Sequence, residues 1–176
     1  MTDDALAALR WQFDMTWALA ERYHLPALTD AMCLWEPAPG AWTVRPLNGV
    51  WTPDWSDVEP APAPITSIAW TAWHLAWWWS ETLARAKGAP PPGRDGVRYP
   101  GSADGVRAQL AALAGEWRPL IAGLDAGALA RPSTFPWPEP RPFAMTVAWV
   151  NAELMKNVAE IGAGVRLFQA AARDRS

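Results

Sequence analysis

Cysteine, histidine and clustered basic residues are scarce in this chain. Its 176 residues include one cysteine, Cys33, and two histidines. A lone cysteine cannot form an internal disulfide, and one cysteine with two histidines leaves few possible members for a nucleophilic triad. The formal net charge is −3, and no group of lysines and arginines offers a nucleic-acid surface. We therefore expect a protein of the reducing cytoplasm that does not bind nucleic acid.

Long apolar runs and signature loops are also missing. The uncharged run from Ile65 to Ser80 spans sixteen residues, whereas a membrane-spanning helix needs about 20. The first residues lack the basic and apolar regions of a signal peptide. There is no glycine-rich phosphate loop, no Gly-x-Ser-x-Gly and no Cys-x-x-Cys. We expect no membrane span and no activity that these motifs would reveal.

Tryptophan is abundant instead, with 14 residues in the chain and five between Ile65 and Lys87. This stretch also contains His74. Residues three and four apart share one face of a helix, so indoles and a carboxylate align with this histidine. One interpretation is a core histidine packed among indoles, and the other is a ligand pocket around it. The predicted pocket residues are Trp70, Trp77, Trp78 and Glu81.

Four segments have apolar residues at helical spacing, over about 3–28, 65–87, 102–124 and 143–172. Thr66 or Ser67 is a plausible N-cap of the second segment, and Ser102 of the third. His24 lies in the apolar stripe of the first segment and is interpreted as a packed core residue. Without a set of strands or an internal repeat, the sequence predicts an all-α four-helix bundle forming a single domain, 1–176.

The predicted connections are rich in proline. Residues 29–64 form a long Pro/Trp-rich crossover between the first two helices, and its tryptophans suggest that it covers the protein surface. Asn48-Gly49 favours a tight reversal, so we expect a small hairpin there. Residues 125–142 are predicted to be loop.

The fourth helix places three polar side chains beside its apolar arc. At 100° per residue, Glu153, Asn157 and Glu160 fall within about 60° of one another. Together with His74 from the second helix, the i, i+4 pair Glu153 and Asn157 could supply three metal ligands and leave positions open for water or substrate.

Three segments, WEPAPGAWTVRP, ITSIAWTAWHLA and AWVNAELMKNVAEIG, resemble the DinB-like four-helix-bundle superfamily. That group includes thiol-dependent transferases and isomerases, mycothiol-dependent maleylpyruvate isomerase among them. The family's metal site uses one histidine of helix two, matched by His74, and a His-x-x-x-His pair of helix four. That pair falls on Glu153 and Asn157. Lys156 stands where relatives often carry an adjacent histidine, and Glu160 matches an acidic position after the motif.

The resemblance implies an enzyme in which His74, Glu153 and Asn157 hold a divalent metal that binds a low-molecular-weight thiol, with Glu160 and Lys156 around it. Since a carboxylate and an amide replace two imidazoles, we expect zinc, nickel or manganese to be absent or weakly bound. The alternative is a non-catalytic bundle that binds a small apolar or aromatic ligand in a Trp-lined pocket. Pairing of exposed helix faces into a homodimer is expected in either case.

Overall fold

The computed structural model describes residues 3–58 and 60–174, which are mostly helical. The all-α class expected from the sequence is confirmed. In chain order the helices are α1 (Asp3–Leu19), α2 (Asp30–Leu34), α3 (Ile68–Ala86), α4 (Ala103–Ala122), α5 (Ala126–Ala130) and α6 (Phe143–Arg173).

The first helical segment is shorter than its apolar stripe suggests. Regular α-helix ends at Leu19 and passes into a π-helical turn, Ala20–His24, and then a 3-10 turn, Leu25–Ala27. The helix expected over about 3–28 is therefore wrong at its end, near the proline where a kink or an end is expected. Pro26 lies in the 3-10 turn, where it donates no backbone hydrogen bond and its ring would clash with a preceding turn of α-helix.

Side-chain caps fix where two of the long helices begin. The Ser67 hydroxyl accepts a hydrogen bond from the backbone N–H of Trp70 at 3.2 Å, and the Ser102 hydroxyl accepts one from Gly105 at 3.1 Å. Each cap satisfies a backbone donor that has no partner within the helix. Both serines are N-caps, as the sequence suggests, so α3 starts at Ile68 and α4 at Ala103.

The four long helices contact one another in a closed ring. Helix α1 packs against α4 and α6, and α3 packs against the same two helices. Large apolar side chains fill the space that they enclose, and burial of this surface is the main stabilising contribution to the fold. The largest fully buried side chains include Phe13, Trp17, Trp73, Trp79, Trp117, Leu154 and Ile161.

Two small antiparallel pairs lie in the connections. Strands β1 (Val44–Leu47) and β2 (Val50–Pro53) form the expected hairpin. Asn48 and Gly49 have φ of 52° and 76°, the left-handed backbone that a tight two-residue turn requires. Strands β3 (Pro132–Ser133) and β4 (Arg141–Pro142) pair within residues 125–142. That region also contains α5, so predicting it as loop alone was wrong.

Residues 35–58 and 60–67, called the connection below, lie against the start of α3. The Trp42 N–H donates to the Ile65 carbonyl and the Ser67 N–H donates to the Trp42 carbonyl, both at 2.8 Å. The Trp70 indole N–H donates to the Asp54 carbonyl, also at 2.8 Å. The connection thus covers part of the helical core, as its tryptophans suggest. Among the described residues, no helix has the length and apolar character needed to cross a membrane.

Candidate ligand pocket

A cavity of about 450 Å³ lies between the connection, α3 and α6. We call it the His74 cavity. It brings together residues from three separate parts of the chain, including five that the sequence assigns to one site. The connection contributes Trp42, Trp55 and Asp57, α3 contributes Trp70 and His74, and α6 contributes Lys156, Asn157 and Glu160.

His74 is held between indole rings. Its imidazole stacks on Trp70, with ring centroids 4.8 Å apart and an interplanar angle of 11°, and meets Trp77 edge-on at 5.8 Å. Its Nδ1 is buried and has no hydrogen-bond partner among the described residues, so Nε2 is the nitrogen available to a ligand. Burial lowers the pKa of His74 to about 4, and the nearby charge of Lys156 acts in the same direction. The ring is therefore neutral at pH 7.

The α6 wall of the cavity is polar. Asn157 is buried, and its Nδ2 donates to the Glu153 carbonyl at 2.7 Å. Its Oδ1 is then the atom left for a ligand. Lys156 Nζ lies 2.6 Å from Glu153 Oε2, so these two charges are paired. Partial desolvation raises the pKa of Glu160 against the opposing charge of Lys156. One acceptor and one carboxyl group thus stand beside the neutral imidazole.

Three of the four expected pocket residues do not line this cavity, and two of them, Trp78 and Glu81, lie farther away. Trp78 packs against Trp79 and, edge-on at 5.3 Å, against Trp149 of α6. Glu81 is buried and accepts a hydrogen bond from the Gly93 N–H at 2.7 Å. Both residues are on the His74 side of α3 but farther along its axis, beyond the part that the connection covers. Trp77 contacts His74 and Trp55 without lining the cavity.

Sequence reasoning missed the indoles that the connection contributes. The Trp42 and Trp55 rings lie 6.3 Å apart, and Trp42 also contacts Trp70 at 5.6 Å. The sequence offered one signal, namely two tryptophans in a proline-rich segment. They indicated that the segment packs onto the protein surface, but not which residues it covers. The structure shows that this cover is one wall of the cavity.

The other histidine has a packing role. His24 faces α6 at Gly162, where an added Cβ would lie 2.4 Å from His24 Nδ1. Burial lowers the pKa of His24, with a further contribution from Arg166. This close approach to α6 agrees with its interpretation as a packed residue.

A protein-family model and a solved structure each match most of this chain. A family model described as the DinB superfamily matches residues 12–161. The chain belongs to the DinB superfamily. This DinB-superfamily chain is also similar to a crystal structure titled as the conserved protein of locus from Enterococcus faecalis, with a TM-score of 0.56 and 13% sequence identity. The alignment covers 93% of this chain and 92% of that one. At this identity the likeness shows the fold alone. Comparison with curated proteins gave no match.

The metal-ligand pattern that the family resemblance implies is altered in this chain, and the geometry bears on whether a metal fits. Of the three expected ligands only His74 is an imidazole. The Glu153 carboxylate is paired with Lys156, and Asn157 offers one amide oxygen. Within the part of the chain that the structure describes, no group of three or more His, Cys, Asp and Glu side chains is placed to hold a metal ion. As arranged, this donor set does not fit a tight metal site of the three-histidine kind.

Proposed function

We propose that this DinB-superfamily protein binds a small aromatic or apolar molecule in the His74 cavity without catalysing its conversion. The observation that carries the proposal is an indole-lined cavity of about 450 Å³ built over a neutral imidazole. In this proposal the four long helices form a four-helix bundle in a single domain, with the connection as its crossover.

The proposed ligand combines a flat apolar body with a hydrogen-bonding group. Trp42, Trp55 and Trp70 line the apolar side of the cavity. Stacked or edge-on aromatic contacts contribute about 0.5–1.5 kcal/mol beyond the area that they bury. On the other side, His74 Nε2 and Asn157 Oδ1 are free to bind one polar group. The volume lies within the range typical of small-molecule pockets.

Replacement of Trp70 tests this proposal. We expect at least one member of a small-aromatic library that includes indole and 2-naphthol to quench tryptophan fluorescence and raise the melting temperature. Trp70→Leu should weaken binding of that compound by about tenfold or more, because a stacking wall is lost. Trp70→Phe keeps an aromatic wall and should retain most of the affinity. Fluorescence titration measures all three proteins.

Trp11→Leu is the matched control, since Trp11 is 63% exposed on α1 and does not line the cavity. It removes one indole and should leave the affinity unchanged. A library in which no compound shifts either signal would contradict the proposal. So would an equal loss of affinity in Trp11→Leu and Trp70→Leu.

A second candidate is a metal-dependent thiol S-transferase or isomerase of the type the family resemblance implies. What favours it is that His74, Asn157 and Glu160 line one cavity. Glu153 would have to exchange Lys156 for a divalent ion, with Lys156 and Glu160 remaining beside the site. The low-molecular-weight thiol would require a reducing compartment. We therefore propose that the protein is located in the cytoplasm. Stoichiometric retention of a divalent metal by the wild-type chain tests this candidate.

We also propose a homodimer, because large apolar side chains are exposed on two adjacent helices. Trp11 of α1 is 63% exposed and Met155 of α6 is 44% exposed. Trp11→Glu should shift the sedimentation coefficient from that of a dimer to that of a monomer, since a charge in an apolar interface is costly. Leu47→Glu, on the exposed hairpin at 59%, is the control and should remain dimeric. A wild-type chain that sediments as a monomer would refute the proposal.

A further inference from the structure

A second cavity of about 450 Å³ lies at the other end of α3. Thr82 in its wall is eight residues beyond His74, or about 12 Å along the helix. Trp78 lies between them in sequence and packs against Trp149, which in turn contacts Phe135 at 5.6 Å. Aromatic rings thus separate the two cavities. We call this one the arginine cavity; its polar lining is Thr82, Arg85, Arg131, Ser133, Thr134 and Thr146.

Arg85 is held in a fixed position in this cavity. Its guanidinium donates to Glu81 Oε2 at 3.1 Å and lies over the Phe135 ring, 4.9 Å from its centroid. Glu81 is itself buried and fixed, since its Oε1 accepts the Gly93 N–H at 2.7 Å. The buried carboxylate that the sequence assigned to the His74 pocket therefore positions an arginine here.

Arg131 supplies a second positive charge without a matching acid. No carboxylate pairs with its side chain among the residues that the structure describes, and no Asp or Glu lines the cavity. Its backbone is anchored, because the Arg131 carbonyl accepts the Phe143 N–H at 2.8 Å. With Arg85 balanced by Glu81, the cavity carries a net positive charge.

The start of α6 adds to this positive potential. Phe143, the first residue of this 31-residue helix, lines the cavity, and Pro142 at the N-cap position provides no side-chain acceptor. The N-terminal end of a long helix carries a partial positive charge. The same wall contains the hydroxyl groups of Ser133 and Thr146, which share a hydrogen bond of 3.0 Å. These hydroxyl groups therefore line the same cavity as the two arginines.

From these features we propose that the arginine cavity binds a small molecule carrying an oxyanion, either a carboxylate or a phosphate. Arg131 and Arg85 bind the anion, and Phe135 and Phe143 contact the apolar part of the molecule. Guanidinium groups bind these anions well because their planar N–H groups match two oxygens at once. The site uses different residues from the proposed function and stands independently of it.

The test titrates the full-length protein with phenyl phosphate, benzoate and inorganic phosphate by calorimetry. We expect saturable binding of at least one aromatic anion, weakened by added salt. Arg131→Gln should reduce the affinity by about tenfold or more, and Arg131→Lys should retain part of it. Phenyl phosphate and benzoate distinguish the two anion chemistries, and inorganic phosphate shows what the apolar part contributes.

Arg141→Gln is the matched control. Arg141 lies on β4 over the Trp137 ring and does not line the arginine cavity, yet its replacement changes the net charge equally. It should leave binding unchanged. Equal losses in Arg141→Gln and Arg131→Gln would show non-specific attraction and overturn the proposal. Absence of saturable binding of all three probes up to about 10 mM would do the same.

Discussion

Zinc retention should rise to about one equivalent per chain when Glu153 and Asn157 are both replaced by histidine. The double variant presents three imidazoles, two from α6 at i, i+4 spacing and one from His74 across the cavity. It also removes the carboxylate that now pairs with Lys156. For the wild-type chain we expect retention well below one equivalent, since an amide and a paired carboxylate are poor substitutes for imidazoles. Elemental analysis after zinc incubation and gel filtration measures both proteins.

Ala108→His with Ala112→His is the matched control for the double variant. These positions on α4 have the same i, i+4 spacing, but both are exposed and neither lines the His74 cavity. This control should bind zinc at least about a hundredfold more weakly, because the third imidazole is missing. Adding His74→Ala to the double variant should weaken binding in the same way. Equal affinities in all three proteins would show that His74 does not face α6 as described.

The wild-type result also discriminates between the two candidate functions. Stoichiometric retention of zinc, nickel or manganese by the unmodified chain would favour the thiol transferase and show that Glu153 leaves Lys156. Loss of that metal in His74→Ala would locate it in the cavity. If no metal is retained, ligand binding by the indole wall is the function left to test.

Acidification should destabilise the wild-type chain through His74. Its pKa is about 4 in the folded chain and 6.5 ordinarily, so between these values the unfolded state binds a proton that the folded state does not. Above pH 6.5 His74 is neutral in both the folded and the unfolded state, so it does not reduce the free energy of unfolding. As the pH falls from 6.5 toward 4, protonation of the unfolded state lowers that free energy. A displacement of this size corresponds to roughly 3 kcal/mol in the free energy of unfolding. Urea unfolding at pH 7 and pH 4.5 measures the loss.

His74→Gln removes this proton and should lose much less stability over the same interval. The comparison between variants is needed because the charges of Lys156 and Glu153 act on His74, and because Glu160, whose pKa is raised by burial, lines the same cavity. His24→Gln is the comparison variant: burial lowers the pKa of His24 as well, so this substitution should also reduce the pH dependence, although the ring is outside the cavity. An identical pH dependence in wild type and His74→Gln would contradict the assignment.

Periodicity in the sequence predicts the long helices well, because burial on one face imposes a repeat that local chemistry reinforces. Ser67 and Ser102 illustrate this, since a hydroxyl at the start of an apolar stripe identifies the first turn. The end of the first helix could not be read in the same way. Its stripe continues through His24 to Leu28, although the backbone changes to π-helical and 3-10 turns around Pro26. The spacing of side chains does not reveal such changes in winding.

The candidate site was predictable to the extent that it lies on helices. His74, Trp70 and Asn157 share a cavity because helical spacing fixes their direction around each axis. Helical spacing does not tell how far along the axis of α3 the covering loop will extend. Trp78 and Glu81 were therefore assigned to the His74 cavity, although they lie beyond the covered part of α3. Trp55 illustrates the remaining limit, because an irregular segment has no period from which to infer which way its side chains point.

The hydrogen bonds that join Trp42 to Ile65 and Ser67 have a consequence for how this protein can diversify. They bring the two ends of residues 42–66 together beside the start of α3. The segment between them leaves and re-enters the helical part of the protein at one place. It is not independent of the core, because Val44 is buried and Trp51 packs against Tyr99. Substitutions at Trp42 and Trp55 alter the indole wall of the His74 cavity, whereas a change at Val44 also disturbs the core. Under the proposed function, changes of ligand preference would therefore fall on Trp42 and Trp55.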